Sequence, residues 1–411
     1  FGRAADYYRA AGLMRRDARP GEAGHLSSPD MWYANGCAAL AMKGRALLYA
    51  ASPLHNALGE EDWRLAAEAI AAAEDAGFEM LPKEQWTDNF MNVQYTNEQL
   101  WCYSVGNIAL SNSRFYGRYG RAQCNNQNNA SGICPTQNFV DRFETIWGDP
   151  LDTEEDRAAA VALGHYNDQD PYADRDPRFD LTILHDGSKV GSKNVTVNIY
   201  KNTKGTWPTT TIGNAKNFGA EWEADPLRGT TRTGYYLNKG WNGERGNTAY
   251  RHSDPLIRMA ELYLNYAEAV NEYAGPGGTA AGLPLTALQA VNKVRSRIGM
   301  PDVQSRFAGD SRLLRDRIRN ERMVELAFEG HHYYFDSRRW KTVETDMNRT
   351  LYGMYVEQVS VSAEYPKGRR YTRRALTDDC QGAWKPHMYY LPIPDAESQK
   401  MRNFVNNAKW N

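Results

Sequence analysis

Residues Leu313–Lys341 read LLRDRIRNERMVELAFEGHHYYFDSRRWK, the densest charged stretch of the 411-residue chain. Its first half predicts a helix that ends at Gly330. At about 100° per residue, Arg317, Glu321 and Glu325 step round by about 40° each and fall among Leu314, Ile318, Val324 and Phe328. Carboxylates on an apolar stripe must be paired, because stripping an isolated charge of water is prohibitive. A glycosidase would use such a pair as acid and base, but it draws them from separate elements flanking a cleft. Adjacent turns of one helix fit a structural role better. The expected partners are Arg317, Arg338 or Arg339 and nearby backbone amides, locking the helix to the turn that follows.

Working outward, Ser253-Asp254-Pro255 has the form of a helix start. Beyond it Leu256, Met259, Ala260, Leu262, Tyr263, Tyr266, Ala267 and Val270 line one apolar face. Arg258, Glu261, Asn265, Glu268 and Glu272 fill the other. Leu285–Ile298 is its partner helix, stopped by Gly299 and Pro301. Upstream, Ala34–Ala51 and Asp62–Ala76 predict another helix pair, rich in small residues, with Gly77 as a C-terminal glycine. Such pairs are units of a tetratricopeptide-like array, and further helices are needed to cover their open faces.

The chain therefore divides into residues 1–83, tetratricopeptide-like helices; 84–252, a loop-rich insertion; and 253–411, a helical region with a tail that is mostly loop from Leu351. The fold class is mainly α. Within the insertion, Phe179–Ile183 and Val195–Ile199 alternate as short strands should, with Asp186-Gly187 between them.

The charge balance, Lys+Arg 49 against Asp+Glu 50, argues against duplex nucleic acid as a partner. No apolar run approaches the ~18 residues of a membrane span. Nucleophile-elbow, phosphate-loop and dinucleotide motifs are missing, as are CxxC pairs, and the adjacent His331-His332 do not make a metal site. No catalytic residue, metal or cofactor is expected. Cys124 and Cys134 bracket CNNQNNASGIC, which either a disulfide closes or two reduced thiols flank.

The aromatic class is 25 Tyr and 11 Trp against 12 Phe. Trp86–Tyr119 mixes such rings with Asn and Arg, a composition suited to sugar faces and hydroxyls, or to a peptide. Phe90 and Trp101 are expected to serve the core in part, and Trp207, Trp222 and Trp241 are further candidates on loops.

Four stretches, in order, resemble the SusD/RagB family. RNERMVELAFEGHHYYFDSRRWK at 319–341 resembles its R-x-E-R-x-x-E-L-x-x-E-G-x-R-x-x-D-L-x-R-W signature, with His331 and Ser337 as departures. DPLIRMAELYLNYAEAVN at 254–271 is similar to the helix preceding that signature. PTQNFVDRFE at 135–144 with DPYADRDPRF at 170–179, and YYLPIPDAE at 389–397, match further pieces.

The resemblance implies a non-catalytic lipoprotein on the extracellular face of the outer membrane. Such a protein binds an oligomeric nutrient and hands it to a SusC-like TonB-dependent transporter. It implies a SusD-like helical scaffold in which Glu321, Glu325 and Glu329 hold the packing while Asp336 and Arg339 fix the turn. It also implies an N-terminal part, with its lipid anchor, that is not in this chain. Ligand-binding residues are expected at Trp101, Tyr103, Arg114, Phe115, Tyr116 and Tyr119, ahead of the PTQ piece. A peptide-binding, RagB-like member is the alternative, and an α-helical glycoside hydrolase using Glu321 or Asp336 the more distant one.

Overall fold

The computed structural model describes residues 1–14, 33–56, 59–74, 77–91, 96–108, 133–191, 194–200, 231–241, 250–400, 403 and 405–410. The longer helices are α1 (Gly2–Ala10), α2 (Gly36–Ala51), α3 (Glu60–Glu74), α4 (Glu154–Ala162), α5 (Met259–Ala274), α6 (Ala287–Ile298), α7 (Ser311–Glu325) and α8 (His332–Arg339). The longer strands are β1 (Gln99–Ile108), β2 (Tyr250–Arg258), β3 (Tyr352–Gln358) and β4 (Arg369–Ala375). The body is mostly helical, as the periodicity predicts.

The α2–α3 contact is close because Gly44 leaves it so: a Cβ there would lie 2.5 Å from Ile70 Cγ1. Around the pair, Leu40, Leu48, Trp63 and Ile70 join Leu262, Val291 and Leu314 in one apolar core. Local chemistry sets α2 and α6. Asn35 caps α2 by accepting from Ala38 N at 2.8 Å, and it also donates to Leu100 O at 2.9 Å, tying the helix start to β1. Thr286 and Gln289 form a reciprocal capping box on α6, and Gly299 ends that helix in the left-handed region.

Four expectations need correction. Ser253-Asp254-Pro255 does not start a helix. It runs on as β2, antiparallel to β1, with Cys102 opposite Pro255 and Tyr103 opposite Asp254. The long-range ladder overrides the local cap, and a register shift at Trp101/Cys102 falls beside the proline, which has no N–H to give. α5 opens instead at Met259, and its supposed outer face is covered, with Arg258, Glu261, Asn265 and Glu268 buried and Glu272 half-buried.

Phe179–Ile183 is mostly not strand. A short helix spans Arg178–Thr182, held by Asp176 Oδ1 accepting from Arg178 N at 2.9 Å, and only Ile183–Leu184 is extended, pairing with Tyr236–Leu237. The tail is more ordered than its composition suggests. β3 and β4 form a hairpin whose Met354, Val356 and Tyr371 pack on Val140, Phe143, Phe179, Tyr235 and Val324. Finally, Arg317, Arg338 and Arg339 are not the partners of Glu321 and Glu325.

Candidate functional site

Those partners come from remote segments. Arg178 reaches Glu321 Oε1 at 2.5 Å and Glu325 Oε2 at 3.0 Å, while Arg295 reaches Glu321 Oε2 at 3.1 Å. Glu325 Oε1 also accepts from Arg258 at 2.7 Å, from Trp86 Nε1 at 3.1 Å, and from Arg297. Glu329 takes Arg258 on both oxygens at 2.8 Å and Lys239 at 2.6 Å. Lys239 itself lies 4.8 Å from the centre of the Trp86 ring and 4.6 Å from that of Phe90.

All three glutamates are buried, Glu325 completely. Burial alone would raise its pKa, but Arg297, Arg258, Arg178 and Lys239 hold it well below the ordinary carboxylate value. Burial likewise draws Lys239 down to about 8 against the pull of Glu329. Asp336 is buried between Arg322 at 2.6 Å and Arg339 at 2.7 Å, and Arg339 goes on to Glu268. Arg317 pairs with Glu144 instead, at 3.3 Å. A general acid or base needs an open position beside the bond it cleaves. These carboxylates have every oxygen engaged by a cation or donor. They are cross-links between the insertion, β2, α6 and α7.

The aromatic candidates are placed differently. Along β1, Leu100 and Cys102 are buried, Trp101 is half-buried and Tyr103 is 52% exposed. Alternation on the strand thus turns two hydrophobic residues to the core and two rings outward. The back of the strand is fixed by the Asn35–Leu100 bond and the β2 ladder, so the outward pair sits on a firm support. Arg114, Phe115, Tyr116 and Tyr119 lie outside the described residues, as do Trp207, Trp222 and Cys124. Phe90 and Trp241 are core residues, so Trp241 is removed from the loop candidates.

Among the exposed rings that the composition scan passed over is Trp147. Trp147 is 43% exposed and stacks on His165 with centroids 4.2 Å apart, the imidazole being fixed by Asp149 Oδ2 at 2.7 Å. Its signal was the Gly148–Pro150 turn that follows it, which turns the ring outward. No cluster of three or more His, Cys, Asp or Glu able to hold a metal occurs among the described residues.

The SusD family model matches residues 97–410. A SusD-like protein from Bacteroides fragilis NCTC 9343 superposes with a TM-score of 0.67 at 22% identity, over 94% of this chain and 67% of its own. A SusD-like carbohydrate binding protein from the same organism gives 0.61 at 20% identity, over 96% and 68%. A SusD homolog from Bacteroides thetaiotaomicron gives 0.53 at 18% identity, over 99% and 69%. At such identities the likeness speaks for the fold. No curated protein matches the sequence.

Proposed function

The chain belongs to the SusD family, whose members are non-catalytic surface glycan-binding proteins, and on that premise we propose that it captures glycan oligomers for a SusC-like TonB-dependent transporter. It works at the extracellular face of the outer membrane as a lipid-anchored protein. No helix among the described residues is long and apolar enough to cross a membrane itself. Residues 84–252 carry the ligand and the helical remainder carries the transporter contact.

The observation behind this reading is the outward pair Trp101 and Tyr103 on a braced strand. Flat rings present the apolar face that a pyranose ring needs, and the hydroxyl of Tyr103 can bond a sugar hydroxyl. Arg114, Phe115, Tyr116 and Tyr119 follow in the same segment and complete the proposed ligand face. The test is calorimetry against glycan and peptide libraries with Trp101→Ala and Tyr103→Ala, singly and together. The double variant should lose roughly tenfold or more in affinity for the ligand found, about 1.4 kcal/mol, with Tm lowered little by Tyr103→Ala. Full retention moves the site elsewhere. A peptide as the only ligand replaces glycan as the cargo, and co-purification of a transporter tests delivery.

A further inference from the structure

The β3–β4 hairpin carries four arginines on one strand, and three of them are matched. Arg369 pairs with Asp186 at 3.0 Å, Arg370 with Glu357 at 3.4 Å and Arg373 with Asp141 at 2.5 Å. Arg374 is exposed and makes no ion pair among the described residues. Its guanidinium lies instead 5.6 Å from the centre of the Tyr355 ring. Both residues lie on the face away from the core, since the alternate positions Met354, Val356 and Tyr371 pack inward.

Beside them is a shallow depression open to solvent, lined by Arg232, Gly234, Gly353, Tyr355 and Arg374 among others. Its floor is nearly bare backbone. Met354 N donates to Thr233 O at 2.8 Å, and a Cβ on Gly353 would lie 2.8 Å from the same oxygen. Gly234, at φ +86°, is equally pressed against Met354. Leu376 and Thr377 complete the lining, and the groups that could recognise a ligand are the Tyr355 ring, the Arg374 guanidinium, which has no ion pair among the described residues, and Arg232, whose guanidinium is shared with Asp379 at 2.5 Å in an exposed pair.

We infer that this cavity is a second sugar subsite, selective for an anionic residue whose carboxylate or sulfate pairs with Arg374 while its ring lies against Tyr355. A guanidinium fork matches a planar or tetrahedral oxyanion with two parallel bonds, and an adjoining aromatic face suits the apolar side of a pyranose. The cavity is open to solvent, so a sugar lies across its mouth and leaves the chain ends free. The inference rests on the glycan-binding reading above and narrows its ligand class to acidic glycans.

The experiment is calorimetry on the full chain with three probes: an oligogalacturonide, a sulfated galactan oligosaccharide and a neutral gluco-oligosaccharide. The variants are Arg374→Ala, Arg374→Lys and, as control, Arg370→Ala on the same face. The wild type should bind at least one acidic probe, more weakly as salt rises. Arg374→Ala should cost tenfold or more for that probe, Arg374→Lys several-fold because the fork is lost, and Arg370→Ala less than twofold. Which acidic probe responds identifies carboxylate or sulfate as the recognised group. Binding of neither acidic probe, or acidic binding unchanged in Arg374→Ala, overturns the inference. If a neutral glycan binds through Tyr103 in that case, the general reading stands without this one. If no glycan binds at all, both fall.

Discussion

Glu325 sits where Arg178, Arg258 and Arg297 converge, and its carboxylate is what makes three buried guanidinium groups tolerable together. Helical periodicity placed that carboxylate on an apolar face, and this much was legible because it depends on local spacing alone. The partners were not legible. Arg178 is 147 residues away and Arg258 is 67, and nothing in a single sequence marks which arginine folds back onto which glutamate. The nearest guanidinium groups in sequence were the natural expectation, and they are occupied with Glu144, Glu268 and Asp336. Removing one partner from a buried ionic cluster leaves charge without compensation, so Glu325→Ala should cost about 3–5 kcal/mol. By contrast Glu61, whose bond to Arg64 is at the surface, should cost under about 1 kcal/mol when changed to Ala. Urea unfolding of the two variants checks the contrast. Similar losses would mean the cluster contributes nothing special.

At the scale of elements, what decides legibility is whether the interaction defining the element is local. The helices at Gly36–Ala51, Glu60–Glu74, Ala287–Ile298 and Ser311–Glu325 were readable from caps, glycines and period. β2 was not, because its evident cap signal lost to a ladder with residues about 150 positions upstream. β4 hid behind its composition: RRYTRRA looks like a solvated charge run until Arg369 and Arg373 find acids on remote segments. The same logic covers the site. The rings on β1 were picked out by composition, but which of them face outward follows from the β2 pairing, and the cavity beside Gly353 needs two backbones to meet. Gly44 offers a clean test of element packing. Gly44→Val should destabilise by roughly 2–3 kcal/mol by forcing α2 from α3. The clash is with Ile70 Cγ1, so Gly44→Val with Ile70→Ala should cost less than the sum of the two single changes in a double-mutant cycle. Strict additivity would show that the helices meet elsewhere.

For the molecule as a whole, one consequence of tying remote segments with buried charge is that global stability becomes linked to protons. Glu268, Glu325, Glu329 and Asp336 are all held below their ordinary pKa by neighbouring arginines that outweigh burial. The unfolded chain takes up protons there first, so their contribution is full above about pH 4.5 and falls in stronger acid. Glu144 and Asp186, raised by burial, run the opposite way. His332 acts earlier. Burial, with Arg322 close by at 3.4 Å, draws it from 6.5 down to about 4 although Glu261 lies 3.8 Å from its Nε2. The folded protein keeps it neutral while the unfolded chain protonates it near 6.5. Stability from this residue is therefore present above pH 6.5 and lost progressively down to pH 4, on the order of 3 kcal/mol in all. Unfolding free energy measured by urea between pH 7 and 4 should begin to decline near 6.5, well before the carboxylates titrate. His332→Gln cannot take up that proton, so its profile should stay nearly flat until about pH 4.5 and then fall with the wild type. Parallel slopes in the two proteins from pH 6.5 to 4 would place the acid lability on other groups and leave His332 a packing residue.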